Sequence, residues 1–424
     1  ALQMPTLFND VNGEYLGFDK EVHVAEGFQY YTDFSLWDTF RTVHPLYNLI
    51  FPEVQRDMLV SMVEMAKAGG CFPRWPSGAG YTNCMIGTPA DIMVTESYLK
   101  GIQDFDVETA YSKMRQTALV GKPEGTKFAG RGGLESYLDL GWCASEKMSK
   151  ALGKTFEYSY ADWALASLAK ALNHPEDAAL LSEHAKNYQN LWNEETQFFQ
   201  PRSSTGEFQA IEPLQLSYTD SEGILTDDFV EGSAMQWRYA IPFDPEGLVS
   251  LFKDRDYFIE ELTAFFEGST KEVGKWNPGP CYWHGNEPYI HSAYLFEAAG
   301  RPDLTQKWVR WIMENKYSDD YVGLDGNDDG GTLSAWYVFS SLGLYPIAGS
   351  TKYEIGSPLF DKATLHMGEA KLEIFADNQS PQNVYLKEVR LNDQPLENYS
   401  FDHADIAGGG TLRFPMSGEP SKER

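Results

Sequence analysis

Three turns in this 424-residue chain carry carboxylates where helical text is about to begin: FVEGSAMQW around Glu231, WHGNEPYIH around Glu287, and GLDGNDDGG with Asp325, Asp328 and Asp329. Each alone reads as helix capping, because Asp and Asn favour the residue before a helix and an acidic side chain in the first turn meets the helix dipole favourably. Together they ask for more. Asp328 and Asp329 are neighbours, so at most one is the preferred cap, and the other needs a separate reason to stand in a glycine-flanked loop. Glu287 lies between Asn286 and Pro288 and follows Trp283, His284 and Gly285, an aromatic and polar group of the kind that lines a pocket.

A pair of carboxylates across a pocket is the equipment of glycoside hydrolysis: one protonates the leaving oxygen while the other activates water or attacks the sugar carbon. The acid needs a dry, apolar setting that raises its pKa, and Glu231, with Val230, Ala234 and Trp237 around it, fits that description. The base stays ionised and solvated, which suits the glycine-framed Asp328 and Asp329. A separation of roughly 6.5–9.5 Å between acid and base predicts inversion, because water has to fit beside the sugar. Mixed oxygen donors also suit a hard cation such as calcium, but EF-hand spacing is missing, so a calcium site has to be assembled from distant segments.

Bulk composition narrows the partners. With 62 acidic against 34 basic residues the formal charge is -28, and the summed field repels phosphate backbones and anionic membrane surfaces. The 11 tryptophans offer stacking faces for sugars as well as core filling. Cys71, Cys84, Cys143 and Cys281 lie far apart without zinc-ligand spacing or a disulfide framework. No apolar run approaches the length of a bilayer span, and ALQMPTLFND lacks the zones of a signal peptide. A start at Ala suggests a processed or truncated product. Sequons stand at Asn378 and Asn398.

The elements that position these turns are mostly helical. From Ser35 to about Leu344 apolar residues recur at helical spacing between Gly, Pro and Asn turns, as in PEVQRDMLVSMVEMAKAGG, SYADWALASLAKALNHP and DLTQKWVRWIMENKY. Successive helix pairs suggest a toroid of α-hairpins with the pocket at one end, although periodicity does not separate a closed ring from an open solenoid. After Tyr345-Pro346 the text shortens and alternates as strands, enough for most of a small β-sandwich, with a hairpin turning at Asn392-Asp393.

HGNEP, GNDDGGTLSAWYVFSSLGLYP, YYTDFSLWDTFRTVHPLY and TNCMIGTPADIMVTESYLKGI, in this order-bearing set from about Val24 to Pro358, resemble the signature segments of glycoside hydrolase family 92, the calcium-dependent exo-acting α-mannosidases. The resemblance implies an enzyme with an N-terminal β-sandwich and an (α/α)6 toroid that inverts configuration, with calcium on the mannose O2 and O3 hydroxyls helping to distort the ring. On this chain it implies residues 1–30 as the connection from a separate sandwich domain, 31–346 as the catalytic toroid and 347–424 as a C-terminal β-rich segment. By motif, Glu231 matches the general acid and Asp329, with Asp328 beside it, the loop of the base. Glu287, Asn286 and Asp329 are the expected calcium ligands. Trp37, Asp38 and Arg41 in SLWDTFR are expected to contact the terminal mannose, with an Asp38–Arg41 ion pair as a further reading of that spacing. Trp75, Asn83, His284, Asn286 and His291 are expected around the same sugar.

Two departures stand out. The acid motif has Ser233 and Met235 where the family reads closer to EGNAWQ, and Tyr289-Ile290 leaves only His291 where many members carry two histidines, which leaves the linkage open. The substrate class implies a secreted, periplasmic or cell-surface enzyme acting on mannose-containing glycans. Rival readings are another α/α-toroid glycosidase, a polysaccharide lyase, or a catalytically silent calcium-dependent glycan-binding protein. The lyase fits least, because a carboxylate-rich pocket repels uronates.

Overall fold

Proline punctuates the helical part of the chain. Pro52, Pro89, Pro175, Pro245 and Pro302 open the helices Pro52–Gly69, Pro89–Leu99, Pro175–His184, Pro245–Leu251 and Pro302–Asn315, where the missing N–H is no loss and the fixed φ is already helical. Aspartates start others: Asp106 accepts from the Thr109 amide at 3.1 Å and Asp254 from the Tyr257 amide at 2.8 Å, capping Val107–Leu119 and Arg255–Glu267. The computed structural model describes residues 2–421 apart from 127, 217–227, 270, 272, 274–278 and 397.

These helices bury the faces that the spacing marks. Met58, Met62 and Met65 of Pro52–Gly69 are all buried, and Ala151–Ala171, 21 residues long, packs against Pro89–Leu99, Val107–Leu119 and Pro175–His184. At the two ends of the helical part, Val43–Ile50 packs on Thr332–Ser341, and Thr42 Oγ1 donates to the Thr332 carbonyl at 2.8 Å. One expected helix is broken. IHSAYLFEAAG forms a 3₁₀ turn, Ser292–Tyr294, and a short helix, Leu295–Ala298, because Ser292 Oγ bonds the Tyr289 carbonyl at 2.6 Å and tightens the entry.

The C-terminal part forms two sheets. Leu344–Pro346, Lys352–Ile355 and Ser400–Asp402 make one, so strand structure begins two residues before the Pro346 boundary expected for the helical part. The other centres on Ala370–Asp377 and Gly410–Ser417, which run parallel, with Lys362–Met367 outside. Along Ala370–Asp377 the alternate residues Leu372, Ile374 and Ala376 are buried, the period of a half-buried strand. Asn392 and Asp393 turn the expected hairpin with φ of 50° and 63°, the positive values a two-residue primed turn requires.

Buried polar contacts bolt the sheets to the helices: Glu96 Oε2 accepts from the Gly349 amide at 3.0 Å, and Gln306 Oε1 from the Leu386 amide at 3.0 Å. Residues 2–30 contain the hairpin Glu14–Leu16 with Val22–Val24, and Thr6–Leu7 pairs with Tyr31–Thr32. Among the described residues no helix is long and apolar enough to cross a membrane.

Candidate active site

Each acidic turn is held by its own local bonds. Ser233 Oγ accepts from the Gln236 amide at 3.1 Å while Gln236 Oε1 accepts from the Ser233 amide at 2.8 Å, a capping box that starts Ala234–Trp237. The serine that departs from the family motif is thus the cap. Trp237 Nε1 donates to the Glu231 carbonyl at 2.7 Å, and Glu231 has φ 54°. Asp329 is also left-handed, with φ 44°. A non-glycine residue in that region carries about 1–3 kcal/mol of strain and persists where its surroundings over-determine it. Both expected catalytic positions share this feature.

The adjacent aspartates divide their work. Asp328 Oδ1 accepts from the Ser334 amide and its Oδ2 from Ser334 Oγ, both at 2.8 Å, which ties it to the first turn of Thr332–Ser341. Asp325, fully buried, pairs with Lys316 Nζ at 3.1 Å. Asp329 has neither task. At Gly330 an added Cβ would stand 2.6 Å from Ser35 Oγ and 2.7 Å from Thr39 Cγ2, so only glycine lets the loop lie this close to the Leu36–Thr39 helix.

The turns converge. Leu36–Thr39 packs on Asp329–Gly331, and Ala234–Trp237 packs on Glu287–Tyr289. At Gly285 a Cβ would lie 2.7 Å from the Asp325 carbonyl, which puts the HGNEP backbone against the aspartate loop. Charge interactions report the same gathering. Burial, with Asp329, Glu231 and Glu157 nearby and Arg41 opposing, holds the Asp38 carboxyl well above its ordinary range. Burial, then Asp329, Asp38 and Glu231, holds Glu287 well above its range. Burial also raises Asp329, against a hydrogen bond with Glu287. Four carboxylates from four separate segments share one neighbourhood.

Asn286 is buried, with neither side-chain Oδ1 nor Nδ2 hydrogen-bonded among the described residues. His291 lines a narrow pocket with Arg41, Glu287 and Tyr345, and burial beside Arg41 pushes its pKa down to about 3, against a bond to the Tyr239 backbone. His284 has both ring nitrogens engaged, Nδ1 with Tyr282 OH and Nε2 with Tyr317 OH, each at 2.6 Å. Tyr317 OH in turn donates to the Leu333 carbonyl at 2.7 Å, so His284 braces the helix behind the aspartate loop. Trp37 is fully buried with Arg41 stacked 5.2 Å from its ring centre. Half-buried Trp75 and exposed Asn83 belong to a neighbouring hairpin, where Asn83 Oδ1 accepts from Arg74 at 3.3 Å; their bonds run to that hairpin rather than to the carboxylates.

The ion pair of Arg41 is not with Asp38. Arg41 NH2 bonds Glu157 Oε1 at 3.1 Å and its Nε bonds the Trp37 carbonyl at 3.1 Å. Sequence reasoning missed Glu157, whose one signal is an acid in the middle of the long Ala151–Ala171 helix that is otherwise largely apolar.

Calcium can be tested against the donor chemistry. Glu287 Oε1 and Asn286 Oδ1 are buried oxygens without a hydrogen-bond partner among the described residues, and the Asp329 charge acts on the Glu287 carboxyl. These are hard donors of the type calcium takes, and a cation would offset the crowded negative charge. Among the described residues no group of three His, Cys, Asp or Glu side chains is already set at ligand spacing. The buried oxygens of Asn286 and Glu287 are thus donors of the right chemistry for a hard cation, without a complete protein ligand set among the described residues.

A helical scaffold whose turns bring carboxylates from separate segments into one buried neighbourhood carries the acidic equipment of a glycoside hydrolase. The chain belongs to glycoside hydrolase family 92: the model of the family's catalytic domain matches residues 1–418, well past the 24–358 stretch that carries the motifs. It superposes on a family GH92 α-mannosidase from Bacteroides thetaiotaomicron in complex with mannoimidazole with a TM-score of 0.91 and 34% identity, covering 99% of this chain and 55% of that one. A family GH92 inverting mannosidase from the same organism gives a TM-score of 0.87 and 31% identity, over 98% of this chain and 57% of that one. An uncharacterized secreted glycosidase of Arthroderma benhamiae is 26% identical over 363 residues, covering 79% of this chain and 45% of that protein. The chain spans about half the length of these relatives.

Proposed function

We propose that this chain is the catalytic part of an exo-acting, inverting α-mannosidase that releases terminal mannose from glycans and requires calcium. Glu231 is the general acid and Asp329 the base that activates water. Asp328 is the clamp that fixes the base loop through Ser334. The observation that carries this reading is the gathering of Glu231, Asp38, Glu287 and Asp329 from distant segments into one site. Two of them are held in left-handed backbone, which supports a fixed direction for each carboxyl.

Glu231, set between Val230 and Trp237, donates a proton to the glycosidic oxygen as the bond to the anomeric carbon breaks. Asp329 takes a proton from water as that water adds to the opposite face, so the configuration inverts. Asp38 accepts hydroxyl hydrogen bonds from the terminal sugar, with Trp37 and Arg41 forming the wall behind it. Glu287, Asn286 and Asp329 would hold calcium, which when bound neutralises charge and orients the sugar's hydroxyls. His284 and His291 brace this group, and Trp75 and Asn83 border the entrance.

The contact of Thr42 with Thr332 supports a helical ring closed as an (α/α)6 toroid. A separate N-terminal sandwich is the partner that would complete the pocket wall. The secreted fungal relative supports an extracellular or cell-surface location. Incubation with an α-mannobioside tests the activity: the reading predicts free mannose as the sole sugar product. Release of glucose from α-glucosides instead, an unsaturated uronate product, or binding without turnover would replace it with one of the rival readings.

A further inference from the structure

In SLWDTFR, Asp38 and Arg41 stand at the i,i+3 spacing that lets opposite charges meet on a helix. The structure withholds that contact. Arg41 turns instead to Glu157, 116 positions along the chain, with 3.1 Å between NH2 and Oε1 and both side chains buried. Its Nε is fixed on the Trp37 carbonyl, and its Cζ lies 4.5 Å from the Phe40 ring centre. Asp38 Oδ2 is left buried and without a hydrogen-bond partner among the described residues, in the neighbourhood of Asp329 and Glu231.

Glu157 has little freedom to follow the guanidinium elsewhere. A Cβ on Gly87 would stand 3.0 Å from Glu157 Cβ and 3.1 Å from its Oε2, so the Gly87 backbone closes over the carboxylate. A buried guanidinium that loses its partner is an uncompensated charge, and the Asp38 carboxyl three residues away already feels the Arg41 charge.

We propose that Glu157 is a positioning residue: it holds Arg41 off Asp38 and so leaves the Asp38 carboxyl without a protein partner, as an acceptor for a sugar hydroxyl. The inference deepens, and rests on, the α-mannosidase reading. Without Glu157, Arg41 collapses onto Asp38 and occupies the acceptor that the substrate needs. Substrate binding then suffers more than the chemical step, because the acid and base are untouched.

The test compares Glu157→Gln, Arg41→Met and their combination on an aryl α-mannoside, with a crystal structure of Glu157→Gln. Mannose release by the unmutated chain is the control for the mannosidase reading, and its absence would end that reading while the crystal structure still decides this one. Glu157→Gln is expected to raise KM about tenfold with kcat changed by less than about threefold. In the Arg41→Met background the same change should alter KM by less than about twofold, the non-additivity of residues acting through one another. The crystal structure should show Arg41 bonded to Asp38. An equal KM effect in both backgrounds, an unchanged KM, or an Arg41 that stays in place would overturn the proposal. If Glu157→Gln does not fold, Glu157→Asp, which keeps the charge but retracts it, carries the same comparison with a smaller rise.

Discussion

Asp328 grips Ser334 twice, through the backbone amide and through the hydroxyl, each at 2.8 Å. That pair of hydrogen bonds to the start of the Thr332–Ser341 helix occupies one aspartate of the two and leaves Asp329 near the other carboxylates. Ser334→Ala and Asp328→Asn should each lower kcat about tenfold by loosening the loop, and the double variant should be no worse than Asp328→Asn alone. Steady-state kinetics of the three variants check this. Fully additive losses would show that Asp328 acts on its own account.

Glu231 and Asp329 should fail in different ways. Glu231→Gln is expected to lose about 10³-fold in kcat on an unactivated mannoside, but far less on an aryl mannoside whose leaving group needs no proton. Asp329→Asn should lose a similar factor on both, because water attack is needed whatever leaves. Identical profiles for the two variants across leaving groups would remove the assignment of acid and base.

Chelation should remove activity and calcium should restore it, while magnesium, which demands a tighter octahedral shell, should restore it poorly. Glu287→Gln, by taking one hard donor away, should raise the calcium concentration needed for half-maximal activity by at least about tenfold. Full turnover in excess chelator would exclude a calcium role in this chain.

The buried histidine His44 gives a stability test independent of catalysis. Burial lowers its pKa from 6.5 to about 4, against a hydrogen bond with Gln55. A folded-state pKa below the unfolded one means that the unfolded chain takes up the proton first, so stability is present above pH 6.5 and lost as pH falls toward 4. At about 1.4 kcal/mol per unit, this costs the wild type about 3 kcal/mol across that window. Thermal melts of wild type and His44→Gln should show the stability difference between them shifting by that amount in favour of the variant between pH 6.5 and 4. A pH-independent difference would place the imidazole's titration elsewhere.

Local grammar made much of this fold legible. Prolines opened helices where N1 tolerates them, and Asn392-Asp393 turned the hairpin its spacing implied, because both effects depend on adjacent backbone alone. The three acidic turns were also legible, since crowding carboxylates beside glycines is costly without a use. Partner choice at long range was not. Arg41 is paired by Glu157 from another helix rather than by Asp38, whereas the capping ambiguity at Asp328 and Asp329 was settled nearby, by Ser334 six residues on. His284 read as a sugar contact from its motif, yet two tyrosine hydroxyls take both its nitrogens. The strand at Leu344–Pro346 looked like a helix stop because its pairing partners lie further along the chain.

In the proposed reaction Glu231 and Asp329 work from opposite faces of one mannose ring. Proton NMR of the first-formed sugar from an α-mannoside reads it directly, before mutarotation blurs the anomers. The β anomer of mannose appearing first is the predicted result; the α anomer appearing first would mean that a carboxylate attacks the sugar itself, and would contradict the opposed acid and base.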